Sequence, residues 1–418
     1  MRRWAIVMLA AWIGLTAAAV GLRTRGWSKT TEPDHSTRVR VVLNNTLDTL
    51  AAPALGAIYV VRGYNILKTW HGTAMVYGAG YTLPCASVLV LVGLRCRLRD
   101  GDRRKAGEKG GSPTDPSRRR VLVNGAASAA GLVLVSAPVY AAAIEPNMIA
   151  VRKYRVPIRG LPPALDGLRI VQLSDTHLGP RVHESHVQRA VEIALAQKPD
   201  IVALTGDYVH NGPGSIERAA ELFAPLVDAP GVMGVVGVLG NHDWYADGRL
   251  MSDALRAVGV RMIDNDRVFL DAVPRSLTSA VPADPDQALC LVGLGDLLTD
   301  TVEPDRAFAG IPAETARVLL THVPDTLELP SVRAPDGPRI DLALCGHTHG
   351  GQIRMPLIGA PGVPSEYGQR YAGGLIDASV TGTRCPVVVS RGIGVSIVPV
   401  RIGVPPEVVV VELFRSGL

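Results

Sequence analysis

The sequence predicts an α/β domain carried behind an apolar, membrane-facing N-terminal third. Two observations support this. Hydrophobic residues make up 47% of the 418 residues and charged residues only 19%, a balance above that of a soluble enzyme and below that of a polytopic transporter. From residue 168 onward, short apolar runs each end in Gly, Asp, Asn or His and alternate with helical patterns, which is the texture of a layered α/β fold.

The N-terminal third holds three apolar runs long enough to span a bilayer. The first is 4–20, extended by Gly21 and Leu22 and preceded by Arg2 and Arg3. The second is 73–94, without a charge, and the third is 121–144, directly after Arg118-Arg119-Arg120. A shorter run, 47–61, contains Pro53 and reads either as a fourth span or as an interfacial segment. Ten Lys/Arg and four Asp/Glu fall between Arg95 and Arg120, more than the whole net charge of +5. The positive-inside rule keeps this loop cytoplasmic and puts everything after Ile144 on the opposite side. Three spans also leave Arg2 and Arg3 inside, whereas four would not. The expected organisation is therefore an anchoring region at 1–145 and a catalytic domain at 146–418, at the cell membrane with the domain extracytoplasmic. The basic loop lacks interleaved aromatics, so nucleic acid is not an expected partner.

Ser117 to Leu122 also resembles a twin-arginine export signal, with Ala141-Ala142-Ala143 as a small-residue cleavage site. Val121 and Val123 depart from that pattern, and stop-transfer arginines explain the string equally. The five cysteines show no CxxC spacing and read as buried core thiols.

In the domain, 168–173 reads as a strand that runs into Ser174-Asp175-Thr176-His177. A helix follows at 186–197, with Val187, Ala190, Val191 and Ala194 at helical spacing. The strand at 201–204 ends in Gly206-Asp207, and 232–239 runs into Gly240-Asn241-His242-Asp243. The run 318–320 meets His322, and 340–344 meets Gly346-His347-Thr348-His349. Strand-like runs at 386–390 and 407–413 suggest a second sheet. Five strands thus end in groups able to bind metal, and in open α/β sheets ligands collect at the carboxyl ends of strands. Carboxylates and imidazoles with one amide oxygen suit Mn, Fe or Zn. Seven ligand candidates are too many for one ion and suit two, with glycines at 206, 240 and 346 permitting sharp turns beside them.

Taken together and in this order, these blocks resemble the calcineurin-like metallophosphoesterase family. The likeness runs from Leu168 to about Leu413, and the strings from Gly346 to Gln352 and from Ser390 to Gly392 resemble its bacterial membrane-linked YaeI/YkuE group. The resemblance implies a four-layer αββα sandwich of two mixed sheets. It also implies that Asp175, His177 and His349 hold one metal, that Asn241, His322 and His347 hold the other, and that Asp207 bridges both. Two such ions lie about 3.5–4 Å apart and activate a bridging water as hydroxide. His242 is then the acid for the leaving group, with Asp243 orienting it or raising its basicity. Asn241 and Arg391 are candidate substrate contacts, and Arg391 could instead pair with an internal carboxylate. Many relatives carry a further acidic residue where this chain has Tyr208-Val209-His210, a departure that bears on substrate fit.

His183, His186 and His210 read as solvated positions, and Asp296 as a turn residue that mimics the Gly-Asp motif. The expected activity is hydrolysis of phosphate esters or diesters. The alternatives are a lipid-linked nucleotide pyrophosphate hydrolase of the UDP-2,3-diacylglucosamine type and a non-catalytic metal-binding domain.

Overall fold

A computed structural model describes residues 140–416 other than 211, 283, 357, 378–384 and 397. The expected spans at 4–20 and 73–94, the run at 47–61, the basic loop and most of 121–144 lie outside the described residues. Among the described residues no helix is long and apolar enough to cross a membrane. The tail of the third run, Tyr140–Ile144, is a single π-helical turn with Ala141 buried against the domain.

One sheet has six strands: β1 (Ala150–Ile158), β2 (Arg169–Leu173), β3 (Ile201–Thr205), β4 (Gly234–Val238), β5 (Arg261–Met262) and β13 (Glu407–Arg415). Their order is β1-β13-β2-β3-β4-β5, with all neighbours parallel except β13 and β2. The second sheet has seven strands: β6 (Asp266–Asp271), β7 (Ser276–Thr278), β8 (Ala288–Gly293), β9 (Ala316–Leu320), β10 (Leu342–Cys345), β11 (Gly374–Ile376) and β12 (Val387–Val389). Their order is β11-β12-β10-β9-β8-β6-β7, parallel from β12 to β8 and antiparallel at both margins.

Period-two alternation explains the layers, because successive strand residues face opposite ways. Ile170, Ala203, Val236 and Val409 join Leu289, Leu291, Val318, Leu344 and Val388 in the core between the sheets. Their neighbours Val171, Val202, Val235 and Val410 face outward against the helices α1 (Glu184–Ala196), α2 (Ile216–Val227) and α3 (Asn241–Ala257). On the far side, Cys290, Val292, Leu319 and Ala343 pack with Ala307 of α4 (Pro304–Phe308) and Val332 of α5 (Pro330–Arg333). Cys290, Cys345 and Cys385 are buried in this third cluster.

The two sheets are also tied by polar contacts near one end. Gln172 of β2 donates to Thr205 Oγ1 at 2.9 Å and to the Cys345 carbonyl at 2.8 Å across the sandwich. Parallel β2, β3 and β4 from one sheet and β9, β10 and β12 from the other thereby bring their carboxyl ends together. Leu291→Ala, in the centre of the inter-sheet core, is expected to cost about 2–5 kcal/mol. The drop should appear as a lower denaturation midpoint, and an unchanged midpoint would contradict the packing described.

Candidate metal centre

The loops after β2 and β3 are zipped together before they reach the site. Asp175 N donates to the Gly206 carbonyl, His177 N to that of Asp207, Leu178 N to that of Tyr208 and His210 N to that of Leu178, all at 2.9–3.0 Å. This pairing delivers Asp175, His177 and Asp207 to one buried point.

Around that point the described side chains form two groups that contain a carboxylate, each with ligand atoms lying within 4.8 Å of one another, Asp175, His177 and His349, and Asp207, His322 and His347; a third group of imidazoles alone, His177, His210 and His242, meets the same spacing. One oxygen of Asp207 joins the groups, with Oδ2 3.5 Å from His177 Nε2 and 3.2 Å from His322 Nε2. Its other oxygen accepts the His242 amide at 2.8 Å, at the first turn of α3, where free amides favour an anion. His177 and His349 meet Nε2 to Nε2 at 2.9 Å, and Asp175 Oδ1 is 3.4 Å from His349 Nε2. His347 Nδ1 faces His322 Nε2 at 3.3 Å. His322 is aimed by its other nitrogen, since Nδ1 lies 2.7 Å from the Thr205 carbonyl. A carbonyl can only accept, so this contact puts the proton on Nδ1 and turns Nε2 toward Asp207.

The electrostatics suit cation binding. Burial lowers the proton affinity of His177 and His349 well below the usual range and that of His347 to about 3, so these imidazoles are neutral. Burial pushes the Asp175 carboxyl up to about 7, against the pull of His322. Burial also works against the Asp207 anion, but His322, with His177 and His242, holds that carboxyl well below its usual range. The Asn241 side-chain oxygen is buried without a hydrogen-bond partner. Asn241 precedes His242, whose amide binds Asp207; a buried amide oxygen without a partner is costly unless a cation takes it up, and hard-oxygen and imidazole donors suit a divalent transition metal. The donor set fits such ions.

Glycine is enforced where the loops touch. A Cβ on Gly206, at φ +89°, would lie 2.6 Å from the Gly240 nitrogen, and one on Gly240 would lie 2.6 Å from that of Asp207. Five of the seven ligand candidates, Asp175, His177, Asp207, His347 and His349, themselves have positive φ.

Two expectations change, and one open alternative is taken up. Asp243 does not reach the His242 ring. Its oxygens accept the amides of Gly240, Asp207, Tyr208 and Val209 at 2.8–3.3 Å, so it clamps the loop that carries Asp207. Arg391 takes the internal-carboxylate alternative, with its amide and Nη1 2.9 and 3.3 Å from Glu407. His210 is buried, not solvated, and stacks on His242 with centroids 5.2 Å apart, while its carbonyl lies 2.6 Å from His242 Nδ1. His183 is exposed and caps α1, and His186 meets the Ile393 carbonyl at 3.0 Å. Asp296 holds a turn through Leu298 N, Thr299 N and Thr299 Oγ1.

Sequence reasoning missed Arg401. It is fully buried, donates to the carbonyls of Arg391, Gly392 and Gly394, and lies 3.4 Å from His349 Nδ1. An arginine between Val400 and Ile402 reads as a loop cation, so no local signal marks it.

The family profile "Calcineurin-like phosphoesterase" matches residues 168–351. Phosphodiesterase YaeI of Escherichia coli is 33% identical over 250 residues, 59% of this chain and 82% of that protein. The uncharacterized metallophosphoesterase YkuE of Bacillus subtilis is 27% identical over 299 residues, covering 71% and 97%. The UDP-2,3-diacylglucosamine pyrophosphatase LpxG of Chlamydia trachomatis is 26% identical over 251 residues, covering 52% and 74%.

Asp243→Asn would set an NH2 group against two of the clamped amides, whichever way the amide is turned. It is expected to cost about 1–3 kcal/mol and to lower metal content in the purified protein. Native melting temperature and full metal occupancy in this variant would exclude the clamp role.

Proposed function

The chain belongs to the calcineurin-like phosphoesterase family, and from that premise we propose that it is a membrane-anchored phosphodiesterase with a dinuclear metal centre. The observation that carries this reading is the single Asp207 oxygen set between His177 and His322, one from each ligand group. In this reading Asp175, His177 and His349 hold one divalent ion, and Asn241, His322 and His347 hold the other. Asp207 would serve both, and Mn, Fe or Zn would suit these donors. Two divalent ions in such a site supply an acidified water as nucleophile and neutralise charge on the phosphate oxygens.

The chain's own residues do the rest. His242 has Nδ1 against the His210 carbonyl, so that nitrogen is the donor and Nε2 remains to carry and deliver a proton to the leaving oxygen. The His210 ring stacks on it and the His177 ring meets it at right angles, and both restrict its rotation. Asp243 keeps the Asp207 loop in register through its four amide contacts. Asn241 stands at the start of α3, where it can meet both metal and substrate oxygens. Arg391 is held by Glu407 through its amide and Nη1.

Similarity to YaeI, named a phosphodiesterase, favours a diester substrate. The resemblance to LpxG supports a second reading, hydrolysis of a lipid-linked nucleotide pyrophosphate. The apolar runs at 4–20, 73–94 and 121–144 support the membrane anchor and an extracytoplasmic domain. Metal-loaded full-length protein assayed against a chromogenic diester, phosphomonoesters and a lipid pyrophosphate separates the readings. Failure on all of them with metal bound would overturn the enzyme assignment.

His242→Ala is expected to keep both metals and lose about 10²–10⁴ in turnover. Asp207→Ala is expected to lose both metal and turnover. Metal analysis beside the diester assay reads the two effects, and normal turnover by the His242 variant would remove its proton-donor role.

A further inference from the structure

We propose that an apolar face beside the metal centre rests on a lipid bilayer. The face is built from three segments bonded edge to edge. The first is 140–148, where Tyr140, Ile144 and Met148 are exposed, Met148 to 52%. It is fastened to the second by Arg401 N donating to the Ala141 carbonyl at 2.9 Å and Val404 N donating to Glu145 Oε1 at 2.6 Å. The second segment exposes Ile402 and is bonded in turn to the third, through Ile402 N to the Gln352 carbonyl and Arg354 N to the Ile402 carbonyl at 2.9 and 2.7 Å. In the third, Met355 and Gly359 exchange both backbone hydrogen bonds. They close a tight turn that carries Ile358, which is 67% exposed, and Met355 is exposed beside it.

Single exposed apolar residues need no explanation, but six on adjoining segments do. The choice of occupant comes from the chain itself. The sequence preceding Tyr140 is an apolar run that begins at Val121, after Arg118-Arg119-Arg120. If that run enters a bilayer, the face that receives its last turn lies at the bilayer surface. Exposed cations adjoin these segments along the chain: Arg354 lies between Ile353 and Met355, and Arg152 and Lys153 follow Met148. Apolar side chains with basic residues at their margin are the composition of an interfacial contact. The third segment continues directly from His349 through Gln352, so the docked face and the centre share one stretch of chain. With the phosphoesterase reading above, on which this consequence alone rests, the substrate class is an amphiphile whose phosphate lies at the membrane surface.

The experiment uses the full-length chain in nanodiscs of phosphatidylethanolamine and phosphatidylglycerol, doped with a phospholipid bearing a diazirine near its head group. After irradiation, adducts are mapped by mass spectrometry. Labelling of peptides covering 140–148, 353–359 and Ile402 is expected at roughly tenfold the level at Val273, an exposed apolar residue on the β6–β7 turn, as interfacial burial requires. Adducts confined to residues before 140, with 353–359 at the Val273 level, would overturn the proposal. So would copy-to-copy links through this face when the same nanodiscs are treated with a bifunctional protein cross-linker. The labelling needs no turnover, so it can succeed with an inactive chain. Hydrolysis of the chromogenic diester by the same nanodiscs reports separately on the enzyme reading.

Discussion

The site is organised around one carboxylate. Asp207 is buried between two sheets, and its two oxygens act separately. Oδ1 takes the first-turn amide of α3, and Oδ2 sits between His177 and His322. An anion in that position is unfavourable in an apolar interior unless cations or hydrogen-bond donors surround it. The surrounding loops supply both. Asp243 fixes the amides of Asp207 and Gly240 on either side of the contact, so the loops after β3 and β4 are held to one geometry. The missing side chains at Gly206 and Gly240 then let those loops touch. The two glycines and the clamp are therefore conditions for the Asp207 position rather than separate features.

Strain is concentrated at the same place. Left-handed backbone is uncommon in residues other than glycine and carries a cost of order 1–3 kcal/mol each. Asp175, His177, Asp207, His347 and His349 all adopt it. The surrounding structure over-determines four of them: Asp175 and His177 by the zipper to 206–207, Asp207 by its amide to Asp243, and His347 by its amide to the Asp175 carboxylate at 2.9 Å. Such a backbone turns each side chain toward the centre instead of letting it follow the alternation of the strand it leaves. Rigid sheets with strained ends are a suitable frame for a centre whose ligands must converge from distant parts of the chain.

Much of this was legible in the sequence for a physical reason. Parallel buried strands read as continuous apolar runs, and their polar terminators mark where the carboxyl ends emerge, so β2, β3, β4, β9 and β10 and the residues beyond them could be found one by one. What could not be read depends on long-range pairing. β1 carries Arg152, Lys153 and Arg155 and has no clear apolar face, and its existence rests on a parallel register with Glu407–Arg415 at the far end of the chain. Arg401 and His210 look like surface residues until the loops fold over them. Asp243 follows His242 in sequence, which suggests a partnership, but adjacent residues at a helix start point in different directions, and its carboxylate turns back to cap the helix.

Arg401 joins the segment at 140–145 to the centre. Its backbone amide holds Ala141, and its guanidinium gathers three carbonyls of the 391–394 loop while standing against His349. Burial lowers its proton affinity to about 10, with Asp175 and Glu407 among the carboxylates that oppose the shift, so it is charged at neutral pH. At the other nitrogen of that ring, Asp175 Oδ1 stands 3.4 Å from His349 Nε2. Glu145, also buried, completes the contact by accepting Val404 N. The segment at 140–145 is thus part of the packing behind His349, held there by the same few hydrogen bonds that fix Arg401 and Val404.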